Sequence, residues 1–169
     1  VTVSPKEKVT ITKEVVTSNT DEVTWISHIH VPEGGLAQAI VTDWVPSLWY
    51  NTRNYFDDFK DGSLVVDGLL PGESYDDPVV DGDLGTVTIT FYKDSGKTQT
   101  GLQPADGGHD ITIQLTTRVN QEWLEIGYEK GDDPNFKRFQ THTNVIGING
   151  ITAQAEVTYA KPDIKKTGL

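Results

Sequence analysis

The 169-residue sequence contains no cysteine and no methionine. Without cysteine there can be no disulfide, thiol catalysis or thiolate metal site. No apolar run of about 18 residues occurs, so the sequence predicts no transmembrane helix. Basic residues are also scarce, since 14 Lys and Arg stand against 25 Asp and Glu, giving a formal net charge of −11. This balance argues against nucleic-acid or anionic-membrane partners, because phosphate binding needs clustered Lys and Arg.

Alternation of apolar and polar residues extends through the chain, and no window has the periodicity of a long amphipathic helix. Gly, Pro and Asp cluster between the alternating segments, where they favour turns. The pattern predicts an all-β sandwich with one short helical turn around Asn120 to Tyr128. We expect one domain over residues 1–162. Residues 163–169 are expected to be a linker or the start of a following domain in a longer polypeptide.

Lys13, Asp43 and Asn144 each occupy a position where alternation places core residues in a predicted strand. The apolar residues that share their faces are Val9, Ile11 and Val15 for Lys13, Ala39, Val41 and Val45 for Asp43, and Ile146 and Ile148 for Asn144. Taken singly, each could be a boundary effect, with a snorkelling lysine, an aspartate starting a turn and an asparagine capping a bend. Because an unpaired buried charge or amide costs several kcal/mol, the three together predict one shared site.

The order of these residues, over nearly the whole chain, resembles that of the collagen-adhesin A-type isopeptide domains of Gram-positive surface proteins. The segments that carry the resemblance are Ile11-Thr12-Lys13, Val23-Thr24-Trp25-Ile26, Ile40-Val41-Thr42-Asp43-Trp44-Val45-Pro46, Gly85-Thr86-Val87-Thr88-Ile89-Thr90-Phe91, and Phe139 through His142-Thr143-Asn144. The resemblance implies an immunoglobulin-like β-sandwich of the DEv-IgG type with extra strands. It also implies that Lys13 and Asn144 are covalently joined, with Asp43 as the catalytic residue.

Asn149 stays open as an alternative bond partner. The family often has Asn-Thr-Ala at this point, whereas Asn144 is followed by Val145-Ile146-Gly147. The resemblance further implies a structural or adhesive module of a bacterial cell-surface protein, an adhesin stalk or pilus-like, located outside the cell and attached to the cell wall through its parent protein. Its expected partners are neighbouring domains of that protein and a host protein or glycan ligand, without membrane insertion. A domain that cross-links itself once is not an enzyme.

A rival interpretation starts from the aromatic stretch 44–59. If its rings are exposed in one groove, they would suit a carbohydrate- or host-matrix-binding module. If they are packed in the core, they would surround the cross-link. The rings are those of Trp44, Trp49, Tyr50, Tyr55, Phe56 and Phe59. A hydrolase is a third class, but Asp and Glu are too abundant for any pair to stand out as acid and base.

Metal sites are the remaining alternative. His28, His30, Glu33 and His142 are conceivable zinc ligands, and Asp81-Gly82-Asp83 and the 57–61 stretch are conceivable calcium turns. None of these spacings matches a specific metal motif. We therefore expect no cofactor, with calcium in the acidic turns as the alternative.

Overall fold

Strands formed by the alternating segments dominate the computed structural model, which describes residues 7–162. The strands are β1 (Thr10–Ser18), β2 (Glu22–Val31), β3 (Ile40–Trp44), β4 (Ser47–Tyr50), β5 (Arg53–Phe56), β6 (Asp58–Phe59), β7 (Val65–Asp67), β8 (Ser74–Tyr75), β9 (Val79–Asp81), β10 (Thr86–Tyr92), β11 (His109–Arg118), β12 (Thr141–Ile148) and β13 (Ile151–Thr158). Between β11 and β12 lie the helix α1 (Gln121–Lys130) and a 3₁₀ segment (Pro134–Gln140).

The first sheet has the strand order β1-β2-β11-β6, and β7 also pairs with β11. All of these pairings are antiparallel. The strand β1 lies at one edge and pairs with β2 in a register that sets Lys13 opposite Ser27. The side chains of Lys13 and Ser27 therefore leave the sheet on the same face.

The second sheet has the order β13-β12-β3-β10-β8, with β9 also paired to β10. The strand β3 is central, since Asp43 lies opposite Ile146 of β12 and Val87 of β10. The edge strand β13 also contacts β1 of the first sheet. The hairpin of β4 and β5 forms a separate two-stranded sheet.

The core lies between the two sheets. Side chains of β2 and β11, such as Ile29 and Ile111, pack against Val41, Ile89 and Ile146 of the second sheet, and all five are almost completely buried. Burying one such side chain contributes roughly 1.5–3 kcal/mol. The predicted all-β sandwich is confirmed.

The helix α1 begins at its N-cap Asn120, whose side chain accepts a hydrogen bond from the backbone N–H of Trp123. The Trp123 ring is fully buried, and its Nε1 donates to the carbonyl of Phe139 in the 3₁₀ segment. Gly127 is required at this contact, because a Cβ there would lie 2.8 Å from the same Phe139 oxygen. The predicted helical turn is confirmed, and the helix extends to Lys130.

The predicted linker 163–169 lies outside the described residues. Within residues 7–162, no helix has the length and apolar character needed to cross a membrane.

Candidate functional site

Lys13 reaches the site from the edge strand β1. Its side chain is only 1% exposed, as the alternation predicted. Nζ donates hydrogen bonds to Asp43 Oδ2 at 2.9 Å and to Ser27 Oγ at 3.3 Å. Nζ also lies 6.0 Å from the ring centroid of Trp25, so the amine is held against an aromatic wall. The charged end of this lysine is therefore inside the sandwich and does not snorkel to the surface.

Asp43 stands at the centre of the site. It is completely buried on the central strand β3, and each of its two oxygens contacts a different polar side chain. Oδ2 accepts from Lys13 of the first sheet, and Oδ1 accepts from Asn144 of the second. Asp43 therefore bridges the lysine and the asparagine, and it does not begin a turn.

Asn144 projects into the core from β12. Its Nδ2 donates to Asp43 Oδ1 at 2.7 Å and to the backbone carbonyl of Trp44 at 2.8 Å. A backbone carbonyl can only accept, so the amide nitrogen must be the atom on this side. Asn144 Oδ1 is buried and has no hydrogen-bond partner within residues 7–162. In this conformation the Asp43 carboxylate therefore faces the nitrogen of the Asn144 amide and not its oxygen.

Burial moves both ionisable groups of the site toward neutrality. Desolvation lowers the pKa of Lys13, and the Asp43 charge and hydrogen bond only partly oppose it. Desolvation likewise raises the pKa of Asp43 against the opposing effects of Lys13 and of the hydrogen bond from Asn144. Both shifts therefore lower the free-energy cost of moving one proton from the ammonium to the carboxylate.

Asn149 lies elsewhere. It occupies the tight turn between β12 and β13 with φ of 48°, followed by Gly150 with φ of 84°. Its side chain is exposed and donates to the backbone carbonyl of Gln38 at 3.1 Å. The amide brought to Asp43 is that of Asn144.

Sequence reasoning missed Ser27, which is fully buried and contacts Lys13 Nζ. The signal was available, because Ser27 has the same parity as Trp25 and Ile29 in a strand whose inward face is otherwise apolar. A hydroxyl on such a face needs a partner inside the core. Here that partner is the lysine amine.

A second buried polar pair lies two residues before Asn144 on the same strand. His142 Nδ1 and Asp57 Oδ2 are 2.7 Å apart, and the imidazole stacks on Trp123 with ring centroids 3.5 Å apart. The other oxygen of Asp57 accepts from the backbone N–H of Asn120. Desolvation raises the pKa of Asp57, against the hydrogen bond from His142. The assignment of Asp57 to an acidic turn is therefore wrong, since this carboxyl is fully buried.

The proposed zinc ligands do not converge. His28 contacts Glu14, His30 contacts Glu7 and Asp110, and buried His142 contacts Asp57. Across residues 7–162, no three His, Asp or Glu side chains are grouped as a metal site requires.

The aromatic stretch 44–59 divides between surface and interior. Trp44 is 41% exposed on the outer face of β3, and Trp49 is 58% exposed on the hairpin of β4 and β5. Tyr50 and Tyr55 are partly buried and pack toward Trp123 and Phe139. Trp44 lines a groove of about 280 Å³ that does not include Trp49. The rings therefore form neither one continuous binding groove nor a wholly buried wall.

Comparison with known proteins returned no matching family model and no matching curated protein. The collagen-binding domain from a Staphylococcus aureus adhesin aligns at 12% identity and a TM-score of 0.46, over 92% of this chain and 100% of that chain. The major pilin subunit of Bacillus cereus aligns at 15% identity and 0.39, over 93% and 40%. A GH20 exo-β-N-acetylglucosaminidase from Vibrio harveyi aligns at 10% identity and 0.38, over 92% and 18%. At TM-scores this low, the likenesses carry no functional conclusion.

Proposed function

We propose that this chain is a structural or adhesive module of a bacterial cell-surface protein, and that it cross-links itself through an isopeptide bond between Lys13 and Asn144 with the help of Asp43. The observation that carries the proposal is the Asp43 carboxylate, which accepts hydrogen bonds from the lysine amine and the asparagine amide at its two oxygens inside the buried core. The lysine amine and the asparagine amide both contact the group that would carry the proton between them.

The reaction conserves atoms and charge. Lys13 first passes a proton to Asp43, giving an amine and a carboxylic acid. Nζ then attacks Cγ of Asn144, and the new C–N bond forms as the bond from Cγ to Nδ2 breaks. Asp43 gives its proton to Nδ2 from Oδ1 and takes one from Nζ at Oδ2, so ammonia leaves and the acid is restored. The products are one secondary amide and one ammonia, without any oxidant or cofactor.

Stability alone is a poor explanation for these groups. A buried ion pair is often no better than apolar side chains of the same volume, since desolvation offsets the attraction between the charges. Asn144 Oδ1, which has no hydrogen-bond partner among residues 7–162, adds a cost of roughly 1–3 kcal/mol. Conversion to a neutral amide removes the lysine charge and the primary amide together, so the arrangement suits a reactant better than a final state.

The cross-link would act chiefly on the unfolded chain. Lys13 and Asn144 lie near the two ends of the described residues, so their bond would close most of the chain into a loop. By analogy with a disulfide that closes a loop of about 100 residues, the gain is about 5 kcal/mol. An amide resists reduction, which suits a cysteine-free module outside the cell. Its partners would be neighbouring domains of the same protein and a host protein or glycan.

Intact-mass spectrometry of the purified chain tests the proposal. The mass should be lower than the sequence mass by one ammonia, and proteolysis should give one branched peptide that contains both Lys13 and Asn144. Asn144→Ala should have its full sequence mass. The matched control is Asn149→Gly, which removes the rival amide at a position with positive φ that glycine tolerates, and it should still lose ammonia. A wild-type chain of full sequence mass would refute the cross-link.

One observation favours a second function, a carbohydrate- or matrix-binding module. Trp44 and Ile40 are exposed on the outer face of β3, with Thr42 between them, and all three line the same groove. An exposed indole beside a polar sheet surface can stack on a sugar ring. Saturable binding on a glycan or matrix-protein array that Trp44→Ala abolishes, with unfolding unchanged, would establish this function. Loss of the cross-link in Asn144→Ala need not affect it.

A further inference from the structure

We propose that Ser27 is a fourth residue of the cross-linking site, and that its hydroxyl accepts an N–H bond of the neutral Lys13 amine so that the lone pair of Nζ is free for attack. This inference rests on the proposed function and deepens it, because nothing in the reaction scheme above uses Ser27.

The position of Ser27 follows from the strand register. Ser27 is directly opposite Lys13 in the pairing of β1 with β2, and its other neighbour is Ile113 of β11. The residue is fully buried, so its hydroxyl cannot turn to solvent. The distance from Nζ to Oγ is 3.3 Å, and the distance from Nζ to Asp43 Oδ2 is 2.9 Å. Within the described part of the chain, these are the two hydrogen-bond acceptors of the lysine.

The number of acceptors distinguishes the two forms of the lysine. An ammonium has three N–H donors, whereas a neutral amine has two donors and one lone pair. Among residues 7–162, two acceptors satisfy both N–H bonds of the amine but leave one N–H of the ammonium without an acceptor, which is costly in a buried site. The pair formed by Ser27 and Asp43 therefore favours the nucleophilic form.

The same count fixes the direction of the lone pair. When both N–H bonds point at Ser27 Oγ and Asp43 Oδ2, the lone pair occupies the remaining tetrahedral direction. Asp43 Oδ2 is then an acceptor, so the carboxylic acid carries its proton on Oδ1, on the lone pair that does not accept the N–H bond of Asn144. Without Ser27, the amine can turn its lone pair toward the acid proton, and attack becomes slower.

The test compares Ser27→Thr with Ser27→Val, because these side chains have the same shape and differ in the hydroxyl. Each chain is made in a short cell-free pulse stopped in guanidinium chloride and refolded by dilution at a chosen pH. Intact mass then gives the uncross-linked fraction at timed intervals. We expect Ser27→Thr to react at close to the wild-type rate and Ser27→Val to react roughly 100-fold more slowly. Raising the pH should not restore the Val rate, since the missing element is orientation and not deprotonation.

Two further chains keep the test decisive. Ser27→Ala replaces Ser27→Val if the larger side chain prevents folding, and it should be slow as well. Thr116→Val removes another largely buried hydroxyl, bonded to Thr24 and not to Lys13, and should react at the wild-type rate. Suppose that the wild-type chain loses ammonia and that folded Ser27→Val or Ser27→Ala does so as fast as Thr116→Val. The role of Ser27 is then refuted, and the cross-link proposal is unaffected. If wild type never loses ammonia, both proposals fail.

Discussion

Lys13 and Asn144 belong to different sheets, yet their side-chain nitrogens contact opposite oxygens of one buried carboxylate. A covalent bond between them would tie the edge strand β1 to β12 across the core. Among residues 7–162, the carboxylate of Asp43 is the group that hydrogen-bonds to both nitrogens. The first prediction concerns this carboxylate.

Asp43→Asn should fold but keep the full sequence mass, because an amide of the same shape cannot carry a proton from Nζ to Nδ2. Intact mass after a long incubation measures this. The control is Asp57→Asn, which alters the other fully buried aspartate without touching Lys13 and should still lose ammonia. Complete cross-linking of Asp43→Asn would mean that another acid carries the proton.

Loss of the Lys13–Asn144 cross-link should lower the free energy of unfolding by more than removal of the Asn144 side chain alone would explain. We expect Asn144→Ala to reduce the free energy of unfolding by about 5 kcal/mol, mainly through the larger entropy of its unfolded chain. Guanidinium chloride unfolding gives this difference, and the branched peptide must be absent from the variant. A reduction under about 1 kcal/mol would show that the link contributes little to the folded state.

Without the cross-link, the charged pair should be a burden. In an Asn144→Ala chain, replacing both Lys13 with Met and Asp43 with Leu should raise the free energy of unfolding by about 1–4 kcal/mol. Replacing Asp43 alone should lower it by about 3–5 kcal/mol, because Lys13 is left buried without its partner. Denaturant unfolding of Asn144→Ala alone, with both replacements and with the Asp43 replacement only gives these differences. If the chain that keeps Lys13 and Asp43 is more stable than the doubly replaced chain, the ion pair stabilises the fold.

Alternation in the sequence was enough to place Lys13, Asp43 and Asn144 inside the sandwich, because parity in a strand fixes which side chains face inward. It could not show that one carboxylate oxygen faces each nitrogen, since that depends on the register between strands far apart in the chain. The buried pair of Asp57 and His142 could not be predicted from the sequence at all. Asp57 stands in an acidic stretch that favours turns, and its partner His142 lies on β12, 85 residues further along the chain.

The exposures of Trp44 and Trp49 were equally hidden. Their side chains belong to the outer face of β3 and to a hairpin outside the main sheets, and an aromatic stretch in the sequence does not distinguish these places from the core. Aromatic rings are large enough to be useful in either environment. The division of this stretch therefore had to come from the three-dimensional arrangement.

Asp57 should make stability depend on pH. Its raised pKa means that the folded state binds the proton more tightly than the unfolded state does. That stabilisation is complete below the ordinary pKa of aspartate, about 4, and is lost as pH rises through the folded value. Compared with Asp57→Asn, the free energy of unfolding of the parent should therefore fall as pH rises above about 4.

Both chains in that comparison should carry Asn144→Ala, so that unfolding is measured without the cross-link. His142, Asp58 and the backbone N–H of Asn120 are the groups that act on Asp57 besides its burial. A difference that grows with pH would mean that pairing with His142 outweighs the desolvation of the carboxyl.

The two kinds of tryptophan should respond differently to truncation. Trp123→Ala should lower the free energy of unfolding by about 3–5 kcal/mol, because the ring is fully buried against His142. Trp49→Ala should change it by less than about 1 kcal/mol, since most of that ring is in contact with water. Thermal and denaturant unfolding check both values. Equal losses would contradict the exposed position of the β4–β5 hairpin.

The strand β13 follows Asn144, so a bond at Asn144 would leave β13 outside the covalent ring. A pulling force applied through the two chain ends would then run from Lys13 through the amide to Asn144, and β2 to β11, the helix and the loops between them would bear none of it. Only the tails could lengthen; the longer, residues 145–162, has an extended contour of roughly 60 Å, and it could gain that contour less the span that it already covers when folded. Between Lys13 and Asn144 the module would not extend under force. The strand β13 would detach from β12 under load and pair with it again when the force is removed.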